Sequence, residues 1–152
     1  MYPRNKQMFG KRYRKHRAWD LFSYMAKDIS VDLKAFIKYN LNGVPSAFVS
    51  DPNNCNDDDM QRWHDTVKKM WWSFDQIARD YPDRPWNIAW NKYWKEIGQY
   101  VESWTEKDEN GNTYYKSDDR FIPPAKEEDE AYEIKLKEGL HLFAEYFQDL
   151  WD

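Results

Sequence analysis

Leu136-Lys-Glu-Gly-Leu-His-Leu-Phe-Ala-Glu-Tyr-Phe-Gln-Asp-Leu-Trp-Asp152 is the stretch whose reading decides the fold class. Leu136, Leu140, Phe143, Phe147 and Leu150 recur at steps of four, three, four and three, which puts them on one face of an α-helix. Leu142, Tyr146 and Trp151 widen that face. A helix this apolar must be covered, so the stretch is expected to be a core element. It carries no catalytic signature.

Working outward, the same periodicity recurs upstream. A first helix is expected from about Ala18 to Asn40, with Trp19, Phe22, Met25, Ile29, Leu33, Phe36 and Ile37 on its buried face. Ala26 keeps a close-packed spot between those rings. Asn42-Gly43 and Pro45 stop this helix. In the connector that follows, residues 42–56, Val44, Ala47, Phe48 and Val49 are expected to tuck against the bundle. A second helix runs from about Asp58 to Tyr81 with a stripe of Trp63, Val67, Met70, Phe74, Ile77 and Tyr81. Asp57, Asp58 and Asp59 suit the positive end of its macrodipole, and one of them can cap free N–H groups. Trp72 lies off the stripe and is expected to be partly exposed or to face another partner.

Tyr81-Pro-Asp-Arg-Pro85 ends the second helix, and a third runs from about Trp86 to Trp104 with a ring-heavy face. That face comprises Trp86, Ala89, Trp90, Tyr93, Trp94, Ile97, Tyr100, Val101 and Trp104. Asn110-Gly111, between Trp104-Thr105 and Tyr114-Tyr115, signals a hairpin. The fourth helix starts near Ala125. Its charged opening, Lys126 to Glu133, is expected to project beyond the core. Gly139 costs about 1 kcal/mol relative to alanine in mid-helix, which implies close approach of another helix or a bulky Trp. The expected fold is all-α: an antiparallel bundle of about four helices, with a short β-hairpin near 104–116. A basic arm, 1–17, precedes a single helical domain, 18–152.

The chain has 152 residues, enough for one core without staples. Nine Trp, eleven Tyr and eight Phe are more rings than such a core can hide, since each buries roughly 150–250 Å² when covered. Some must be half exposed, lie in an oligomer interface or line a pocket. The single cysteine, Cys55, excludes an internal disulfide and suits a reducing cytoplasm. No apolar run reaches the length of a signal peptide core or a membrane span, so a cytoplasmic protein with no membrane partner is expected. Residues 1–17 hold seven cations and no acid, so a net charge of −4 leaves −11 for the rest. This arm offers phosphates, and hence nucleic acid, a binding segment. Docking on the protein's own acidic body, or a merely solvated tail, is the competing expectation.

Glu138-Gly-Leu-His141 has the spacing used by di-iron bundles, but a second such motif is missing from the sequence, and no metal or other cofactor is expected. The sequence also contains no Gly-x-Ser-x-Gly elbow, glycine-rich phosphate loop or zinc-protease motif. Binding is what remains. Rings stack on a base while cations hold phosphate. Arg12, Arg14, Lys15, His16 and Arg17 supply the cations, and Trp86, Trp90, Tyr93 and Trp94 the rings. Most of these rings are also expected to serve the core or a subunit interface, and a homo-oligomer follows from their surplus.

Three segments carry a resemblance: Trp19 to Phe36 ending in Gly43-Val-Pro45, Trp63 to Phe74, and Gly139 to Asp152 with its Gly-Leu-x-Leu-Phe-x-x-Tyr-Phe-x-x-Leu-Trp-Asp pattern. Together they resemble a family of small uncharacterised proteins of tailed-phage and gut-virome genomes. The resemblance covers helices one, two and four, and makes residues 82–124 a variable insertion. It implies a viral origin and an accessory role, and supplies no site residues. The leading expectation is a non-catalytic phage accessory protein that sequesters a host factor, as in counter-defence, by capturing a nucleotide signal or a defence protein. A virion structural or nucleic-acid-associated protein, and a small hydrolase, are the alternatives.

Overall fold

The computed structural model describes residues 18, 20–39, 43–97, 105–115 and 121–151. The basic arm, Trp19 and the face positions Tyr100, Val101 and Trp104 lie outside them. The fold class is all-α, as the periodicity predicts. Among the described residues there are four α-helices: α1 (Leu21–Tyr39), α2 (Asp57–Ala78), α3 (Pro85–Ile97) and α4 (Lys126–Glu145). One antiparallel ribbon pairs β1 (Thr105–Lys107) with β2 (Thr113–Tyr115). No helix among these residues is long and apolar enough to cross a membrane. The chain forms two compact units, one within residues 1–80 and 134–152, the other over 81–133.

In the first unit, α2 is the central element. Its stripe of Trp63, Val67, Met70, Phe74 and Ile77 is at most 9% exposed throughout, so the helical spacing translates directly into core. Asn56 caps α2: its side chain accepts the Asp59 N–H at 2.9 Å while Asp59 reaches back to the Asn56 N–H, a reciprocal capping box. The cap is therefore Asn56 rather than one of the three aspartates. The helix stops at Ala78, short of Tyr81, because Asp80 and Tyr81 take left-handed φ values of 60° and 55°.

α4 runs antiparallel to α2. Lys135 pairs with Trp72, Glu138 with Lys69, and Tyr146 with Trp63, so rising numbers in one helix meet falling numbers in the other. Gly139 is the point of closest approach. A Cβ there would collide with the Lys69 carbonyl and with Ser73 Oγ, and would lie 2.9 Å from Ser73 Cβ. The neighbouring helix is the cause of this glycine. Of the expected α4 face, Leu136 is buried, Leu140 and Phe143 are half-buried and Phe147 is 49% exposed. The α-helix ends at Glu145 and a tighter 3₁₀ segment follows over Phe147–Trp151, which rotates Phe147 out of the stripe. Phe143 still meets Phe74 edge-on at 4.7 Å.

α1 packs on α2 through part of the expected face: Ile29, Phe36 and Ile37 are half-buried, and Ala26 is close-packed as expected. Ala26, Ser30 and Leu33 are buried, whereas Phe22 and Met25 are 58% and 49% exposed. At 3.6 residues per turn the buried line is turned roughly 50° from the large-residue stripe. Small side chains let the two backbones approach, and the bulky Phe22 and Met25 are left outside. The connector is held as expected, except that Ala47 is exposed. Phe48 lies 5.2 Å from Trp63 and 5.1 Å from Tyr146, making a three-ring cluster.

In the second unit, residues 126–133 of α4 are mostly exposed, as expected, but one side of them is held. Arg84 holds Asp129 with a two-point contact at 3.0 and 3.2 Å and reaches Glu133 at 3.4 Å, while Tyr132 is buried. The Arg84 guanidinium keeps the Asp129 carboxyl below the usual carboxylate range. The hairpin expected near 104–116 forms, with Thr105 opposite Tyr115 and Lys107 opposite Thr113. Its loop is organised by Asp108, whose carboxylate accepts from the Asn110 and Asn112 backbone N–H groups at 2.9 and 2.8 Å. Gly111 takes the left-handed φ of 82° that this turn requires.

Candidate binding surfaces

α3 supplies the ring-bearing residues that the sequence singles out. Its start is set by Pro85 at the first helical position, where a missing N–H is harmless. Positions 86, 90, 93 and 94 then fall on adjoining ridges of one side. Trp90 stacks on Tyr93 at 5.5 Å and meets Trp94 edge-on at 5.8 Å. Phe121 joins from the other side of the second unit, 5.2 Å from Trp86, 5.3 Å from Trp90 and 5.6 Å from Tyr93. The four expected ring residues thus come together, three of them around a fifth, Phe121, whose role no local motif signals.

Their exposure differs. Tyr93 is buried at 4% and forms the floor, whereas Trp86, Trp90 and Trp94 are 46%, 39% and 39% exposed. Ile88 and Ile122 are also exposed, but at about 100° per residue Ile88 stands nearly opposite the tryptophan ridge. Beside it a cleft of about 470 Å³ is lined by Ile88, Tyr93, Ile122 and Pro124 together with Lys92, Glu96 and Glu128. Arg12, Arg14, Lys15, His16 and Arg17, the cations expected to accompany the rings, lie outside the described residues.

The first unit carries a separate arrangement that motif reading missed. Trp71 and Trp72, adjacent on α2, line a cleft of about 430 Å³ with Ile37 of α1. Four lysines surround it: Lys34 from α1, Lys68 and Lys69 from α2, and Lys135 from α4. The Lys135 ammonium sits 3.9 Å above the Trp72 ring, and that of Lys34 lies 5.8 Å from the Trp71 ring. These are cation–π distances, worth about 0.5–1 kcal/mol at exposed sites. Trp72 is partly exposed, as its place off the stripe suggested. The Trp71 indole N–H is buried with no acceptor among the described residues. Leaving such a donor unmade costs about 1–3 kcal/mol, so the ring is held in place against an opposing penalty.

The most strongly perturbed carboxylate is Asp59, and its role is to hold the connector. It is fully covered and accepts from Ser50 Oγ at 2.7 Å, from the Ser50 and Asn56 backbone N–H groups, and from Arg62. Arg62 also donates to the Phe48 carbonyl at 2.7 Å. The Ser50 hydroxyl first, then the backbone donors and Arg62, outweigh desolvation and hold Asp59 down to about 2. A carboxylate so tied is a poor proton carrier near neutral pH. Among the described residues, no group of three or more His, Cys, Asp or Glu is placed to hold a metal ion. Glu138 of the Glu-x-x-His spacing is paired with Lys69 at 2.7 Å.

Comparison with protein-family models, with curated proteins and with solved structures finds no match.

Proposed function

We propose that this is a non-catalytic accessory protein, of the tailed-phage kind its sequence resembles, that sequesters a host protein in counter-defence. The observation that supports this reading is the α3 face. Three tryptophans stand between 39% and 46% exposed on a helix whose position is set by the buried Tyr93 and Ile97. Large rings presented on a rigid base are what protein interfaces use as anchors, because they bury much area at small entropic cost. An exposed aromatic patch is costly to leave in water unless something covers it. A second copy of the chain is the competing occupant.

The test places a photo-crosslinking residue at position 94, in the ring cluster, and at position 31 in α1, which is also exposed. Irradiation in host-cell extract gives one discrete adduct from position 94 and none from position 31. The adduct disappears in a Trp86→Ala/Trp90→Ala variant. Identical adducts from both positions, or an adduct with twice the mass of the chain alone, refute capture of a host protein by this face.

A further inference from the structure

We propose that the lysine-ringed cleft of the first unit binds a free nucleotide, with the base against Trp71 and Trp72 and the phosphate between Lys34 and Lys135. The site shares no residue with the α3 face, and stands or falls independently of it. Its charge is the first argument. Of the four lysines, Lys69 is neutralised by Glu138 at 2.7 Å and Lys68 is approached by Asp65 at 3.7 Å. Lys34 and Lys135 have no carboxylate partner among the described residues. Two surplus cations over an apolar floor match a ligand with a flat apolar body and close to two negative charges, which a phosphate monoester carries near neutral pH.

The rings are the second argument. Two indoles and Ile37 make a floor suited to a planar base, and stacking on aromatic faces tolerates any base. At present the lysine ammonium groups occupy the ring faces. Their four-carbon stems are flexible enough to swing outward to a phosphate and yield the faces to the base. Size is the third. The cleft volume of about 430 Å³ falls in the range typical of small-ligand sites.

Calorimetric titration of the full chain with AMP, GMP, CMP and UMP tests this, with inorganic phosphate and an oligothymidylate as further arms. At least one mononucleotide binds at a single site, more weakly as salt rises. Trp72→Leu weakens it at least about fivefold. Lys34→Gln/Lys135→Gln weakens it at least about tenfold, since both cations contact phosphate. Both lysines are exposed, so the lysine variant keeps its fold even if the Trp72 variant does not. The proposal is overturned if none of the four mononucleotides binds at millimolar concentration. It is equally overturned if inorganic phosphate binds as tightly as they do, if only the oligonucleotide binds, or if the lysine variant retains wild-type affinity.

Discussion

Gly139→Ala is a substitution whose sign depends on how α4 sits on α2. Judged as an isolated helix, the change is favourable by about 1 kcal/mol, because alanine costs less backbone entropy. Against the neighbouring helix it is unfavourable. The new methyl meets the Lys69 carbonyl and Ser73 Oγ inside contact distance, with Ser73 Cβ at 2.9 Å. Ser73 is fully buried and the Lys69 oxygen belongs to the backbone, so no flexible side-chain end is there to yield. Overpacking of this kind costs about 1–3 kcal/mol, and a backbone obstacle places it at the upper end. Subtracting the helix gain leaves a loss of about 1–2 kcal/mol. For a chain of this length the melting midpoint falls by about 2–8 °C. Urea denaturation followed by circular dichroism measures it. Ser73→Ala in the same chain removes the Oγ collision and restores part of the loss. A Gly139→Ala protein as stable as the wild type, or more stable, refutes the described contact between α2 and α4.

Two further perturbations read the electrostatics. Asp59 is held down from 3.8 to about 2, so its stabilising contribution is complete above about pH 4 and is lost as pH falls toward 2. Asp59→Asn lowers the denaturation midpoint at neutral pH and flattens the acid limb of a stability profile over that window; an unchanged limb counts against the Ser50–Arg62 clasp. Burial, reinforced by the nearby Asp83 and Tyr81, pushes the Tyr132 hydroxyl up from 10.0 to about 12. The folded state then retains a proton that the unfolded chain gives up, so stability falls as pH rises from about 10 to 12. Tyr132→Phe reduces that alkaline slope, as denaturation midpoints across the range will show.

How far the sequence was legible depends on which residues do the packing. The α2 stripe was readable because Trp63, Val67, Met70, Phe74 and Ile77 are all large, and their period has one solution. In α1 Leu33 and Ala26 are buried as the pattern implied, but Ser30 joins them in place of Phe22 and Met25, and small residues carry little weight in a hydrophobic pattern. The departure at Phe147 comes from a change of helix type after Glu145, which leaves no mark in the spacing. Gly139 announced a close approach without naming its partner. The α3 rings were visible as a surplus, though the sequence could not separate Tyr93, now floor, from Trp86, Trp90 and Trp94. Phe121 joins them from a different segment. The lysine cleft was out of reach, since Lys34, Trp72 and Lys135 come from three helices and meet only through the α2–α4 register set at Gly139.

The central claim is that the α3 indoles are a presented surface rather than core. The direct measurement is indole-resolved nuclear magnetic resonance in the presence of a soluble paramagnetic agent, on dilute protein. The account predicts strong broadening of the Trp86, Trp90 and Trp94 indole signals, while that of Trp63, 1% exposed, is unaffected. Addition of the crosslinked host partner then restores the three. If Trp86, Trp90 and Trp94 are as shielded as Trp63 in the free protein, the claim is contradicted.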